Sequence, residues 1–253
     1  MQPACPSGSI ARVIADYQLL DLIAHSPRAR ICRAQRSRDG QVVAIKIVSA
    51  RAAAQREITA LSTVQHPHLI RLLDHGEDDG ICWLALEWLE GGTLEEGAPL
   101  SLPDWLRLAQ ASHAALAALH GQGLLHLDVK PENLMCAADG TWRLIDFGDC
   151  QPMPEATAHA MTGSIHTMAP ERFGSAPLDA RTDLYALGCT LFFALAGRFA
   201  HPGELTPQVI TSHLHPPDLR QDEALSGLPP AWRGWLLGLL EKDPDLRPTR
   251  LPG

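Results

Sequence analysis

The alternation of hydrophobic and polar positions changes texture once along the chain. Before Glu90-Gly91-Gly92 the apolar residues come in short β-branched or alternating runs; after it they recur at helical spacing. The runs Gln18–Ala24, Ile31–Arg36, Gln41–Val48, Leu69–His75 and Ile81–Trp88 predict five strands. Ser37-Arg38-Asp39-Gly40 and Asp78-Asp79-Gly80 supply hairpin turns, since Asp-Gly provides the positive φ that a tight turn needs. One helix, Ala52–Val64, interrupts the strands; it carries Ile58, Leu61 and Val64 on one face and stops at His66-Pro67. Beyond the glycines, Pro103–His120 predicts a long helix that ends at Gly121-Gln122-Gly123. Leu134–Cys136 and Trp142–Ile145 make a small hairpin across Asp139-Gly140. A long loop from Asp149 to Met168 precedes a mostly helical remainder with proline interruptions.

Strands followed by helices make an α+β chain in two lobes. Residues 1–16 carry little pattern and are expected to form a loose leader. An antiparallel, five-stranded lobe with one helix spans 17–88, a hinge spans 87–92, and a larger helical lobe spans 93–250. Apolar content of 45% in 253 residues is enough to bury a substantial core, so global disorder is not expected. A net charge of -8 argues against a nucleic-acid binder, which needs positive surface. Five arginines between Arg28 and Arg38 are a local exception, read as a solvated strand face or docking surface. The six cysteines and twelve histidines show no metal-binding spacing. With no signal-peptide pattern, and no apolar run longer than Leu184–Gly197, the protein is expected to be soluble and cytoplasmic, with reduced thiols.

The chemistry concentrates in Leu124-Leu125-His126-Leu127-Asp128-Val129-Lys130-Pro131-Glu132-Asn133. Two apolar residues deliver the chain to a polar turn with an acid, a base and an amide at fixed offsets. Phosphoryl transfer from ATP requires such a set. A carboxylate orients the attacking hydroxyl, an ammonium neutralises the transferred charge, and an amide oxygen holds a metal.

This stretch resembles the catalytic loop of protein kinases, H-R-D-x-K-x-x-N, with one departure at Leu127. Other segments extend the resemblance from about Tyr17 to Pro248. Val43-Ala44-Ile45-Lys46 resembles the strand whose lysine holds the α- and β-phosphates, and Glu57 is its ion-pair partner on the following helix. Asp146-Phe147-Gly148, thirteen residues after Asn133, resembles the D-F-G motif. The resemblance implies Asp128 and Lys130 as catalytic groups. It implies Asn133 and Asp146 as oxygen ligands for Mg²⁺, with Mn²⁺ as the alternative. Ala24, Ser26, Ile31, Ala44, Leu86, Glu87, Leu89, Cys136 and Ile145 would line the ATP site, with Leu86 behind the adenine and Glu87 and Leu89 offering backbone hydrogen bonds. Gly163-Ser164-Ile165-His166-Thr167-Met168-Ala169-Pro170-Glu171 is similar to the platform that seats a peptide substrate, with the Ser164 hydroxyl near Asp128. Glu171 would pair with Arg247, and Asp183 would brace the catalytic-loop backbone. His126 would pack as a structural histidine under Asp146, and Phe147 under the Glu57 helix. Lys130-Pro131-Glu132-Asn133 points to Ser/Thr acceptors, and the platform counts against a small-molecule kinase.

Two departures bear on activity. The glycine-rich loop, expected at Ile23–Ile31, has Ala24, Ser26 and Ala29 in place of its glycines and Pro27 at its tip. Glycines there let backbone N–H groups approach phosphates; either the segment is a degraded, ordinary β-turn, or Arg28 or Arg30 contacts phosphate in place of the lost donors. This loss supports the alternative of a pseudokinase scaffold; the full set of Lys46, Glu57, Asp128, Lys130, Asn133 and Asp146 opposes it. Leu127 stands where the family has an arginine that grips a phosphorylated activation loop. Regulation would then fall to a protein partner or to expression. Protein treated with phosphatase should therefore keep its transfer activity. Inert dephosphorylated protein that revives when Thr157, Thr162 or Thr167 is modified would contradict this.

Overall fold

The structure, a computed structural model, describes residues 13–78, 80–153, 156, 163–174 and 177–253. It divides into two compact units. The first is built on residues up to Ile58 with Arg71–Trp88, the second on Thr59–Ile70 with Leu89–Gly253. Asp79, Thr157, His159 and Thr162 lie outside the described residues.

The first unit is an antiparallel sheet of strands β1 (Val13–Ile14), β2 (Tyr17–His25), β3 (Ala29–Arg36), β4 (Val42–Val48), β5 (Leu72–Asp78) and β6 (Ile81–Glu87), ordered β1-β2-β3-β4-β6-β5. The expected five strands become six because β1 falls in what reads as a leader. Val13 and Ile14 pair with Gln18 and Tyr17 across a turn in which Ala15 has φ 49°. Ile14 is buried beside Tyr17, Cys32, Ala34, Val43, Ile45, Ile47 and Trp83, so burial of a β-branched side chain anchors the strand. Strand β5 also begins later than its pattern suggests. Leu69 and Ile70 belong instead to the second unit, where Leu69 bridges to Leu144 and the Ile70 N–H donates to the Leu144 carbonyl. Helix α1 (Arg51–Thr63) follows β4.

The second unit contains helices α2 (Leu94–Gly97), α3 (Leu102–His120), α4 (Ala180–Ala196), α5 (Thr206–Leu214) and α6 (Pro230–Leu239). Between α3 and α4 lie four short strands, β7 (Leu124–Leu125), β8 (Leu134–Cys136), β9 (Trp142–Leu144) and β10 (Gln151–Pro152). They pair as two antiparallel ribbons, β7 with β10 and β8 with β9. Ser101 caps α3 by accepting from the Asp104 N–H, and Pro103 sits in its first turn, where no N–H is required. Helix α4 is apolar on nearly every side, as a helix enclosed by its neighbours must be. Asp179 caps its start and Gly197, with φ 64°, ends it. The Trp105 indole N–H on α3 donates to the Leu191 carbonyl on α4 at 2.9 Å, which fixes the register of the two helices. Gly91 is needed for close approach, because a Cβ there would lie 1.5 Å from the Cys136 carbonyl oxygen.

A buried ion pair ties the segment after residue 163 to the C-terminal end. Arg247 donates to both Glu171 oxygens at 2.7 and 2.9 Å and to the carbonyls of Arg181, Lys242 and Glu241. Its guanidinium also lies over the Tyr185 ring. All this leaves the Arg247 side chain fully enclosed. Removing one partner strands a buried charge, so Glu171→Gln should destabilise the protein by about 3–5 kcal/mol in urea unfolding. A loss below about 1 kcal/mol would show that the carbonyls alone satisfy Arg247.

Candidate active site

In the first unit, strand alternation sorts the side chains. Val43 and Ile45 point into the core, so Ala44 and Lys46 fall on the opposite face. Their cross-strand partners are Leu86 opposite Ala44, and Leu84 and Ile31 flanking Lys46; Ile31 in turn faces Ala24. Ala24, Ile31, Ala44, Lys46 and Leu86 therefore share one face of the sheet. Lys46 is buried, and its Nζ donates to the two Glu57 oxygens at 2.8 and 2.7 Å. Desolvating an ammonium is costly unless a carboxylate meets it, and the two-oxygen contact supplies that compensation. Glu87 lies on the other face. Its N–H donates to the Arg71 carbonyl, so that donor is engaged within the protein.

The β2–β3 turn spans Ser26 to Ala29. The Ser26 N–H donates to the Ala29 carbonyl at 2.8 Å, and the Ser26 hydroxyl oxygen accepts from the N–H groups of Arg28 and Ala29 at 3.3 and 3.2 Å. Pro27 contributes no N–H. The turn thus spends on itself the backbone donors that a glycine loop would present outward.

In the second unit, the loop after β7 is braced by a fully buried carboxylate. Asp183 accepts from the N–H groups of His126 and Leu127, both at 2.8 Å, and contacts His120 Nε2 at 2.8 Å. Burial alone would raise its pKa, yet His120 and the loop donors hold it below the ordinary carboxylate value. Leu127 adopts φ 63°, a turn that carries Asp128 to the polar side. His126 is buried edge-on against Phe147, its Nδ1 accepting from the Asp128 N–H. Burial lowers its pKa, and its lone pair is already engaged, so it is no general base.

Asp128, Lys130 and Asn133 converge. Asp128 Oδ2 accepts from Lys130 Nζ at 2.7 Å and from Asn133 Nδ2 at 2.9 Å, and Asn133 Nδ2 also donates to the Asp128 carbonyl. Burial opposes the charge on Lys130, but Asp128, Glu132 and Asp146 together hold its pKa above the ordinary value. The Ile145 N–H donates to the Asn133 carbonyl, which places Asp146 two residues beyond the end of β9. Asp146 has φ 62°, and its Oδ1 accepts from the Gly148 N–H. Leu89 is buried, and Cys136 and Ile145 lie on or just beyond β8 and β9.

Ser164 meets Asp128 differently from expectation. Its backbone N–H, at 3.2 Å, donates to Asp128 Oδ1, whereas its hydroxyl was the expected group. Gly163 makes this possible: it has φ 93°, and a Cβ there would come within 2.9 Å of Asp128 Oδ1. Thr167 is buried and so is a poor target for modification.

Three supporting elements escape sequence reasoning. His120 reaches Asp183 from the end of α3. Arg172 donates from Nη1 to the Leu127 carbonyl at 2.6 Å. His213 Nε2 lies 2.9 Å from the Ile165 carbonyl and must donate to it, which leaves Nδ1 to accept from the Tyr185 hydroxyl and the Tyr185 oxygen to accept from His201 Nε2. Burial drives the pKa of His201 to about 4 and of His213 to about 3, which keeps both rings neutral. A histidine on a helix carries no signal of its carbonyl partner; for Arg172, the apolar residue at 127 is a weak clue.

The strand lysine held by a helix glutamate and the Asp-Lys-Asn loop braced from below are features of protein kinases. Residues 20–251 match the protein kinase domain family, and the chain belongs to it. It is 30% identical over 231 residues to serine/threonine-protein kinase PknD of Mycobacterium tuberculosis, covering 85% of this chain and 35% of that protein. It is 29% identical over 218 residues to serine/threonine-protein kinase PrkC of Bacillus subtilis, covering 80% and 34%. Against PknH of Mycobacterium tuberculosis the figures are 27% over 253 residues, 94% and 40%. The chain thus spans about a third of the length of the curated relatives it matches. Among the described residues no helix is long and apolar enough to cross a membrane.

Proposed function

We propose that this chain is a serine/threonine protein kinase domain that transfers the γ-phosphate of ATP to a protein hydroxyl. The observation that carries the reading is the Asp128 carboxylate, held by Lys130, Asn133 and the Ser164 N–H. A carboxylate fixed in this way can orient an incoming hydroxyl and take its proton late in the transfer, while Lys130 offsets the charge of the moving phosphoryl group. Lys46, held by Glu57, positions the ATP phosphates.

The residues present also fit a divalent metal. Asn133 commits its nitrogen to Asp128, so its oxygen is the atom left for coordination, and Asp146 adds a carboxylate. Two hard oxygens suit Mg²⁺, which neutralises phosphate charge when bound. Mn²⁺ would fit the same ligands. ATP as donor, and the absence of a disulfide among the five described cysteines, support work in the cytoplasm, with a protein as acceptor.

Phosphate transfer from Mg-ATP to dephosphorylated casein should fall at least about 100-fold in Asp128→Asn, because the oriented proton acceptor is lost. Lys46→Met should remove the rise in melting temperature that Mg-ATP gives the wild type. Equal transfer by wild type and Asp128→Asn would defeat the kinase reading.

The self-satisfied β2–β3 turn generates a separate expectation. Ser26→Gly releases two N–H donors, each worth about 1 kcal/mol when matched to a phosphate. Glycine's added backbone freedom costs roughly 0.5–1 kcal/mol. The net, about 1–1.5 kcal/mol, corresponds to roughly a five- to thirteenfold drop in KM for ATP. An unchanged or higher KM would show that the turn does not approach the nucleotide.

A further inference from the structure

We propose that Arg172 is a positioning residue that latches the loop carrying Asp128 to the 163–174 segment. On this proposal it performs, without phosphorylation, the task that a phosphate-gripping arginine at position 127 would perform. The inference rests on the kinase reading and concerns how the same site is regulated.

Four observations meet at Leu127. Its side chain is buried with Leu125, Ala156 and Leu178, and Met153 packs against this group. The position therefore holds the segment after β10 through apolar contact, where an arginine would need an anionic partner. Its N–H is fixed by Asp183, and its carbonyl accepts from Arg172 Nη1 at 2.6 Å. Arg172 comes from the turn after Pro170 and is 7% exposed; burial lowers its pKa, and Asp183, Asp149, Asp128 and Glu171 only partly offset that shift. Gly163 closes the arrangement: a Cβ there would lie 3.5 Å from Arg172 Nη1, 3.2 Å from the Leu127 carbonyl oxygen and 2.9 Å from Asp128 Oδ1. One guanidinium, one loop carbonyl and the two ends of the substrate platform thus occupy a single small volume.

A buried guanidinium bonded to a strained loop is a two-sided constraint. It holds the φ 63° turn that aims Asp128, and it holds the segment whose Ser164 N–H meets that carboxylate. Both ends are supplied by unmodified side chains.

The test uses the whole chain, treated with phosphatase, in wild-type, Arg172→Met, Arg172→Lys, Arg172→Gln and Leu127→Ala forms. Arg172→Met should lower kcat toward casein by about 100-fold, the scale of a small misplacement at a reacting group. The melting rise with Mg-ATP should stay, since Lys46 and Glu57 are untouched. Arg172→Lys, which can still donate to the Leu127 carbonyl, should recover at least about tenfold of the loss. A purely structural arginine would instead lower melting temperature and leave kcat per folded molecule unchanged, and that result overturns the proposal. If Arg172→Met does not fold, Arg172→Gln decides, with Leu127→Ala, which keeps the carbonyl that Arg172 grips, as the packing control: a fall in kcat per folded molecule beyond that control supports the latch, and full activity without phosphate sinks it. Should the wild type itself transfer no phosphate, the kinase reading fails on its own. Proteolysis between residues 149 and 174 still tests the latch, which requires faster cleavage in Arg172→Met than in the wild type.

Discussion

The arrangement around Asp128 depends on one buried carboxylate. Asp183 lies in the apolar interior of α4 with no exposure, where an unpaired charge could not persist. It is matched by two consecutive backbone N–H groups and by His120. Those contacts do more than satisfy Asp183. Leucine in the left-handed region costs about 1–2 kcal/mol. Two hydrogen bonds to a carboxylate, at roughly 1.5–3 kcal/mol each, exceed that cost. The strained turn at Leu127 is therefore the stable one, and it turns the Asp128 carboxylate toward Lys130 and Asn133.

Much of this was legible because the local signals are short-range. Alternation along Val43–Val48 sorts Val43 and Ile45 into the core and Lys46 to the opposite face, and no tertiary information is needed for that sorting. The offsets from Asp128 to Lys130 and Asn133 likewise encode contacts within one turn. Contacts between distant segments were legible only where the family resemblance named both partners, as with Glu171 and Arg247. Where it named only one partner, as with His120 against Asp183 or Arg172 against Leu127, the second side chain left no pattern to read. The strand at Val13–Ile14 was missed for a different reason. Two residues are too few for periodicity, and only burial of Ile14 beside Tyr17 and Trp83 reveals it.

The contact between Ser164 and Asp128 runs through the backbone, which the motif does not announce. A hydroxyl after glycine suggests a side-chain hydrogen bond. The φ of 93° at Gly163 instead turns the next N–H onto Asp128 Oδ1. The consequence is that residue 164 can contact the carboxylate whatever its side chain, whereas residue 163 has to be glycine. The constraint has moved from the residue that carries the functional group to the residue that has none.

The two departures from the family pattern follow a common physical logic. In the β2–β3 turn, a serine hydroxyl accepts the N–H groups that glycines would leave for a phosphate. At position 127, an apolar side chain and a neighbouring guanidinium take up the contacts that a phosphorylated loop would make in the family. Each replaces an external anion with a partner from the chain itself. Internal partners are always at hand, so such a site is held in one arrangement without waiting for a signal. The same substitution has opposite effects at the two places. Around Asp128 it keeps the reacting groups aligned, which favours turnover. At the turn, on the proposed kinase reading, it keeps two donors from a phosphate, which would work against tight binding. On that reading, such a domain would answer to nucleotide supply and not to modification of the loop near Asp128.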